Sequence, residues 1–446
     1  MLRPRRLVAA ALTVVLTLAL AACSNQDLPN TTFDPHTEFG RDIDALWDTL
    51  LLWGTIVFVL VEAALIFVVV RYRRREGRPE PKHVHGNTTL EILWTVLPAV
   101  ILVLIAVPTV RTIFSSQAAA PASAIRVNVI GHQWWWEFEY PQYGIKTANE
   151  LYLPTGRTVA FELRTQDVLH SFWIPQLGGK RDLIGNRTNY LWFTPDSTMG
   201  SDVWNGFCAE YCGDSHANMK FRAFTVSQAD FERWAAHQKS GPVVVAPAAP
   251  APVAPAAGAS AASTGASQTA AKTGTTQSAG TITGQTPPPS AGAPATPATG
   301  AAATITAVSS PGLVASLFPQ IPDHAVPKTP IPSGLTFQSG LTGDVERGRQ
   351  LYARSPCVGC HVIQGVSMSP VGPTLTHVGS RTTIAAGLYP NDAEHLARWI
   401  KNAPAMKPGA IMPPQGKGIR DPRTNAAGTL DDAQIADIVA YLLALK

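Results

Sequence analysis

Two long apolar stretches stand out in the first 115 residues of the 446-residue chain. Residues 49–70 are apolar apart from a few small polar positions and Glu62, and residues 92–110 carry no charge. Each stretch is long enough to cross a hydrocarbon core of about 30 Å as a helix. The pattern predicts a two-helix transmembrane hairpin over residues 40–115.

After residue 124 the hydrophobic pattern changes to short, partly alternating stretches rich in β-forming residues. Glycine, proline and asparagine separate them, which predicts a small antiparallel β-sandwich or barrel over residues 120–240. The clearest predicted strands are 125–130, 158–163, 189–194 and 221–226. The segment 227–238 predicts a closing helix, with Ser227 as its cap and Asp230 three residues on, as in a capping box.

Residues 241–335 consist mainly of alanine, proline, glycine, serine and threonine. Such a segment buries too little apolar surface to offset its ordering entropy, so we predict a disordered linker. The pattern becomes compact again over residues 340–446. It predicts an all-α domain with helices at 344–355, 391–402 and 429–445, the last beginning around Thr429 and Asp432.

The N-terminus has the features of an export signal. Three arginines precede an apolar run and small residues that end at Cys23, which predicts a signal peptide over residues 1–22. The ending LAAC resembles a bacterial lipobox and implies cleavage before Cys23 and a lipid on its sulfur; an uncleaved anchor with a free thiol is the alternative.

The loop between the apolar runs, residues 71–89, is rich in arginine. The positive-inside rule makes it cytoplasmic, so both folded domains lie on the outer, periplasmic or extracytoplasmic face of a bacterial cell membrane. A net charge of +4 without a concentrated basic surface gives no indication of nucleic-acid binding.

The stretch CAEYCGDSHANM places soft and borderline metal donors within a dozen positions. Thiolates, imidazoles and a thioether suit copper, and a turn that brings the two sulfurs together could let them bridge a metal pair. Zinc and a disulfide remain alternatives from donor counting alone, although the thioether favours copper. The donors are Cys208, Cys212, His216 and Met219, with His170 upstream.

The motif CVGCH, residues 357–361, predicts covalent attachment of a c-type haem. Cys357 and Cys360 would carry the haem, and His361 would be its proximal iron ligand. The rival reading, a redox-active cysteine pair, needs a βαβ context that the surrounding helix and loops do not offer. Candidates for the sixth ligand are Met368, Met406 and Met412, with His377 and His395 as further options.

The donor stretch at 208–219 resembles the dinuclear copper (CuA) motif of cytochrome c oxidase subunit II. The resemblance implies a cupredoxin-like sandwich in which Cys208 and Cys212 bridge two coppers and a backbone carbonyl of Glu210 binds copper. The Glu210 side chain would reach a magnesium site shared with the catalytic subunit. The remaining implied copper ligands are His170, His216 and Met219.

Three further motifs fit the same family. GHQW, within an aromatic run, implies that Trp134 is where electrons reach copper, and EILWT implies that Glu91 lies at the mouth of a proton path. The C-terminal domain resembles a class I cytochrome c, in which GAIMPP makes Met412 the sixth haem ligand, with Met406 second. Pro373 resembles the proline whose carbonyl orients the proximal imidazole.

Together these resemblances imply the electron-input subunit of a proton-pumping haem–copper oxidase. Electrons from a cytochrome or a quinol–cytochrome c reductase complex would pass through haem c and CuA to subunit I, where dioxygen is reduced. The enzyme would be a cytochrome-c oxidase only as a complex with subunit I and other oxidase subunits. The alternatives are a CuA-containing nitric oxide reductase and a non-enzymatic copper-binding lipoprotein; a quinol oxidase subunit would lack the copper donors.

Overall fold

The computed structural model describes residues 30–73, 85–245 and 320–446, together with 13, 14, 17, 28, 76, 77 and 316–318. Two long helices come first, α1 (Glu38–Tyr72) and α2 (Thr88–Ser116). Both are long and apolar enough to cross a membrane, and none of their residues is buried inside the protein. An unburied apolar surface of this length is what lipid or a partner helix would cover, as the sequence predicts.

Ten strands and one helix form the next domain, a β-sandwich. One sheet has the order β3-β2-β1-β5-β8 and the other β4-β10-β9-β6-β7. The strands are β1 (Ile125–His132), β2 (Trp135–Tyr140), β3 (Ile145–Ala148), β4 (Glu150–Pro154), β5 (Val159–Thr165), β6 (His170–Trp173), β7 (Arg181–Leu183), β8 (Asn189–Phe193), β9 (Asp202–Cys208) and β10 (Lys220–Val226). Alternating buried and half-buried positions along β1, β2 and β5 place the aromatic core between the sheets.

The sheets are mixed, so the prediction of an antiparallel sandwich is wrong in this detail. Strand β1 pairs with β5 in parallel, and β10 pairs with β4 in parallel. Parallel partners need a crossover connection, and strand propensity carries no information about which distant strand becomes a neighbour. Alternation therefore predicted the strands themselves but not their directions.

Polar contacts join the hairpin to the sandwich at the start of α1. Arg41 makes two hydrogen bonds to the Asp196 carboxylate, at 2.8 and 3.0 Å. Glu38 accepts a hydrogen bond from the backbone N–H of Thr194, and the buried hydroxyl of Thr37 donates to the carbonyl of Leu177. These bonds hold the sandwich against the N-terminal end of α1.

The sandwich ends with α3 (Gln228–Lys239), which Ser227 caps by accepting from the N–H of Asp230. The C-terminal domain is helical, as predicted. Its helices are α4 (Val345–Arg354), α5 (Ala393–Lys401), α6 (Ala403–Met406) and α7 (Asp432–Ala444). Two short hairpins join strands β11 (Val362–Ile363) to β12 (Ser367–Met368) and β13 (Thr383–Ile384) to β14 (Tyr389–Pro390).

Helices α4 and α7 cross closely because Gly348 has no side chain: a Cβ there would lie 1.9 Å from the carbonyl oxygen of Asp437. Asp437 also binds the Arg347 guanidinium at 2.9 Å, across the same crossing. Helix α7 begins at Asp432, one of the two residues predicted for its start, and Asp431 caps it in a capping box with Gln434.

Both ends of the predicted linker are packed in the structure. Val244 forms a β-bridge with Leu445, and Phe318 and Ala325 belong to the core of the sandwich. The composition of residues 241–335 as a whole hides the few apolar side chains near its two ends. Those side chains make the packing contacts that the prediction did not include. The intervening residues 246–315, most of the signal peptide together with Cys23, and residues 74–75 and 78–84 of the arginine-rich loop lie outside the described residues.

Candidate metal and haem sites

The loop between β9 and β10 brings the predicted copper donors together. Cys208 ends β9 and Cys212 follows in the loop, with their Sγ atoms 3.8 Å apart. A disulfide needs about 2.05 Å, and all four cysteines in the described part of the chain are free. Two buried, unbonded thiols at this separation fit a metal site and exclude the disulfide alternative for this structure.

An imidazole lies beside each sulfur. Nδ1 of His170 is 3.8 Å from Sγ of Cys208, and Nδ1 of His216 is 3.6 Å from Sγ of Cys212. His170 begins β6, which pairs with β9 and so carries the ring to the cysteine loop. Its Nε2 donates to the Asp167 carboxylate at 2.8 Å. Such a bond fixes the tautomer and leaves Nδ1 facing the thiols.

Two further predicted donors complete the cluster. The Met219 sulfur lies 3.9 Å from Sγ of Cys212, and the Glu210 carbonyl oxygen lies 3.2 Å from Sγ of Cys208. Met219 is buried, whereas the Glu210 side chain is exposed. The carbonyl therefore faces the cluster while the carboxylate points to the protein surface. That arrangement is compatible with the separate copper and magnesium roles predicted for this residue.

The pKa values of the two neighbouring thiols, Cys208 and Cys212, are shifted in opposite directions. The hydrogen bond from the Cys212 thiol holds the pKa of Cys208 well below its usual value, and His170 adds to this effect. The same hydrogen bond, together with burial, raises the pKa of Cys212. Cys208 therefore loses its proton more readily than Cys212. A metal that binds both sulfurs displaces any remaining thiol proton, because the thiolate is the ligand.

Trp134 connects this loop to the sandwich. Its indole Nε1–H donates to the Cys212 carbonyl at 2.9 Å, and the side-chain amide of Gln133 donates to the same oxygen at 2.8 Å. Trp135 instead stacks on His132 with ring centroids 4.1 Å apart, and Trp136 is fully buried in the core. Of the three tryptophans, Trp134 is the one with a direct hydrogen bond to the cysteine loop.

The cysteines of the haem motif are free and half-buried in the C-terminal domain. Nδ1 of His361 donates to the Pro373 carbonyl at 2.8 Å, as the resemblance implies. Gly372 packs on this ring, since a Cβ there would lie 2.7 Å from Cε1 of His361. Burial lowers the pKa of His361. The imidazole is therefore neutral, with Nε2 available as an iron ligand.

The candidates for the sixth haem ligand differ in their exposure and in their hydrogen-bond partners. Met412 is half-buried against the helical core and Met406 is buried in it. Met368 is 90% exposed, which removes it from a haem crevice. His377 contacts the Ser240 carbonyl, and His395 binds the Asp392 carboxylate. The two histidines are thus held by other partners, while Met412 and Met406 both remain candidates.

Glu91 lies in the first turn of α2, apart from the two clusters, with an exposed side chain. This is the end of the helix that adjoins the predicted cytoplasmic loop. A proton path there would have to continue in a partner subunit, because the described residues of this chain bury no residue of α2.

The sandwich and the helical domain touch beside the cysteine loop. The Lys407 amino group donates to the Trp134 carbonyl at 2.6 Å, and Ser215 donates to the Pro408 carbonyl at 2.5 Å. A second contact joins the buried carboxylate of Glu150 to the N–H and hydroxyl of Thr382, both at 2.6 Å. Burial lowers the pKa of Lys407 to about 7.

Sequence reasoning missed Asp167 and Lys407. Asp167 had a weak signal, because an acid three residues before a predicted histidine ligand in a turn can reach its ring. Lys407 had none: its partner is 273 positions away, and their contact depends on how two domains pack.

Comparison with known families gives three matches along the chain. Residues 34–112 match the transmembrane domain of cytochrome c oxidase subunit II, and residues 144–226 match its periplasmic domain. Residues 345–446 match cytochrome c. The first two imply a membrane-anchored protein with its soluble part outside and a CuA copper site, and the third implies haem.

Two relatives match over most of their length. Cytochrome c oxidase subunit 2 of Bacillus sp. (strain PS3) is 39% identical, with 84% of this chain and 80% of the relative covered. The subunit 2 of Alkalihalophilus pseudofirmus is 28% identical, with 97% and 95% covered. The periplasmic domain of subunit II of cytochrome oxidase of Bradyrhizobium japonicum aligns with 27% of this chain and 97% of its own, at 26% identity and a TM-score of 0.26.

The relative from strain PS3 exceeds 30% identity over more than two thirds of its length, and the matches follow the order hairpin, sandwich and cytochrome domain. The donor cluster supplies the chemistry that such a protein needs. The chain therefore belongs to the cytochrome c oxidase subunit II family and carries a cytochrome c domain at its C-terminal end.

Proposed function

We propose that this subunit relays electrons from a cytochrome donor, through its own haem c and a dinuclear CuA centre, to a catalytic subunit that reduces dioxygen to water with proton pumping. The observation that carries the proposal is the cluster at 208–219, with two free thiols 3.8 Å apart and an imidazole nitrogen beside each. A dinuclear thiolate-bridged copper centre supplies reversible one-electron chemistry. The complex would act as a proton-translocating cytochrome-c oxidase in a bacterial inner membrane.

The residues in this proposal have distinct roles. Cys208 and Cys212 would hold the coppers through their thiolates, and Asp167 would keep the ring of His170 oriented as a ligand. Trp134 is the point at which electrons reach the centre, because its indole contacts the cysteine loop directly. The remaining copper ligands are His216, Met219 and the carbonyl of Glu210, whose side chain would bind magnesium with subunit I.

In the cytochrome domain, Cys357 and Cys360 would hold haem covalently, and His361, oriented by Pro373, would be a ligand of its iron. Met412 would supply the second iron ligand, and its thioether would raise the reduction potential. Replacing Met412 by alanine should abolish the sulfur-to-iron absorption band of the oxidised protein. The same change at Met406 should leave that band intact; the opposite pattern would assign the ligand to Met406.

Glu91 is the proposed mouth of a proton path, and Cys23 the proposed site of a lipid anchor. Neither is needed for the copper or haem chemistry. Both roles therefore concern how the subunit works within the assembled complex and how it is held at the outer face of the membrane.

A low-temperature EPR spectrum of the oxidised full chain tests the central proposal. A mixed-valence copper pair gives hyperfine structure spread over two nuclei, and Cys212→Ser should remove it. A mononuclear copper spectrum, or zinc at this site by metal analysis, would contradict the proposal. Consumption of dioxygen rather than nitric oxide by the purified complex separates the oxidase from the nitric oxide reductase alternative.

A further inference from the structure

The indole of Trp134 is covered by the cytochrome domain and is only 9% exposed. The covering segment is the 407–409 loop, defined as Lys407, Pro408 and Gly409, which follows α6. Gly409 lies against the ring: a Cβ there would be 2.6 Å from Cη2 of Trp134. Its φ of +77° is also in the region that favours glycine. Steric fit and backbone conformation therefore both call for glycine where the loop meets the indole.

Lys407 fixes this loop to the sandwich. Its side chain is only 4% exposed, and its amino group donates to the carbonyls of Trp134, at 2.6 Å, and Ala385, at 3.2 Å. Burying an amino group is costly unless hydrogen bonds replace those to water. The first carbonyl belongs to the sandwich and the second to the cytochrome domain. Lys407 thus joins the two domains through one buried group.

The turn that supplies the second carbonyl is itself unusual. Ala385 and Ala386 have φ values of 54° and 63°, a left-handed conformation that residues with a Cβ rarely adopt. This turn directs the Ala385 carbonyl towards Lys407. Strained backbone of this kind persists only where surrounding contacts hold it, and such positions cluster at functional sites.

The contact continues from the indole to the cysteine loop. On the side away from Gly409, the ring donates its N–H to the Cys212 carbonyl at 2.9 Å. Packed and hydrogen-bonded atoms therefore run without a gap from the 407–409 loop, through Trp134, to a proposed copper ligand. Ser215, in the same cysteine loop, strengthens the contact by donating to Pro408.

We propose that Lys407 is a positioning residue for electron transfer between the two domains: it holds the 407–409 loop over Trp134. The loop then connects the cytochrome domain to the cysteine loop through continuous atomic contacts. It also prevents external electron donors from reaching the indole of Trp134. One electron leaves haem c and one arrives at the copper pair, with no bond made or broken. This inference rests on the proposed function, because it takes Trp134 as the point where electrons reach copper.

The test replaces Lys407 with methionine, which keeps the length of the side chain and removes the amino group. The matched control is Lys417→Met at an exposed lysine of the same domain. Hydroxyl-radical footprinting read by mass spectrometry should show Trp134 oxidised several-fold faster in Lys407→Met than in the parent or control. After photochemical reduction of haem c, electron arrival at copper should slow by about tenfold or more, because small misplacements are costly.

A third measurement separates positioning from general damage. A soluble photoreductant that acts directly on the copper site should reduce it faster in Lys407→Met, because Trp134 is uncovered. Unchanged footprinting together with unchanged transfer rates would overturn the proposal. If Lys407→Met fails to fold, Gly409→Ala serves instead: it keeps the amino group and forces the loop off the ring, and it should give the same three results.

Failure of the proposed function would look different. In that case the parent protein itself would lack the dinuclear copper signal. The footprinting comparison would still show whether Lys407 holds the loop on Trp134, since that readout needs neither copper nor turnover.

Discussion

His170 and His361 each use one ring nitrogen for a hydrogen bond to a fixed acceptor. For His170 the acceptor is the Asp167 carboxylate, and for His361 it is the Pro373 carbonyl. Each bond selects one tautomer and leaves the other nitrogen free for a metal. At the scale of single residues, the orientation of a ligand therefore depends on a neighbour that binds no metal itself.

Replacing Asp167 with asparagine should weaken copper binding by about 10- to 100-fold, the usual effect of losing such a partner. The amide is a weaker acceptor for the His170 N–H, so the ring is less well oriented and less basic. Titrating the copper-loaded chain with a competing chelator measures the change. Asp182→Asn, at an exposed aspartate on β7, is the control and should bind copper as the parent does. Equal copper retention in both variants would rule out this role for Asp167.

Helices α4 and α7 form the framework of the cytochrome domain. Their close crossing at Gly348 leaves no room for a side chain, and the Arg347–Asp437 ion pair lies across it. At the scale of elements, this crossing therefore joins the first and last helices of the domain, which are about 80 residues apart in sequence.

Gly348→Ala should destabilise the cytochrome domain by about 1–3 kcal/mol, the usual cost of inserting a methyl group where there is no space. The added Cβ would meet the Asp437 carbonyl, so the helices must separate. Denaturant unfolding followed at the haem absorbance measures the loss. Gln350→Ala, at an exposed position of the same helix α4, is the control and should leave the stability nearly unchanged. A Gly348→Ala domain as stable as the control would show that the crossing is not rigid.

The contact between the two folded domains includes a pair of imidazoles. His237 of α3 and His377 of the cytochrome domain have ring centroids 4.8 Å apart. Burial, followed by the proximity of His237, lowers the pKa of His377 from 6.5 to about 4. Burial also lowers the pKa of His237. At the scale of the whole molecule, this contact between domains favours the neutral form of both imidazole rings.

The domain contact should therefore weaken on acidification. A histidine whose pKa is lowered in the folded state stabilises it above the unfolded pKa and loses that contribution as the pH falls towards the folded value. The window is pH 6.5 to about 4, and the shift corresponds to at most about 3 kcal/mol. The buried Glu150 and the half-buried Arg381 line a small cavity together with His377, and both would also respond if that cavity opened.

Radical footprinting of His377 across that pH window measures the opening. In the parent chain the exposure of this region should rise as the pH falls, whereas His377→Gln, which has no titrating ring, should give a flatter profile. Identical profiles would show that other groups control the contact. Arg381 and Glu150 would then be the next to replace.

The sequence alone named the candidate donors that the structure brings together, and it predicted most elements. Cys208, Cys212 and His216 lie within one loop, so their proximity follows from local spacing, whereas the sequence offered His170 only as a further histidine upstream. The parallel pairing of β1 with β5 and the contact of Lys407 with Trp134 could not be predicted. Both depend on residues far apart in sequence, for which neither periodicity nor propensity carries a signal.

The packing of Phe318 and Ala325 on the sandwich limits the reach of the cytochrome domain. Leu335 and Phe337 already pack against the core of the cytochrome domain. While Phe318 and Ala325 stay bound, the domain is therefore tethered to the sandwich through residues 326–334, which span at most about 30 Å when fully extended. The alanine- and proline-rich residues before Phe318 then do not increase the distance that the cytochrome domain can move. An outside donor must deliver its electron within that radius, however long the intervening segment becomes in other members of the family.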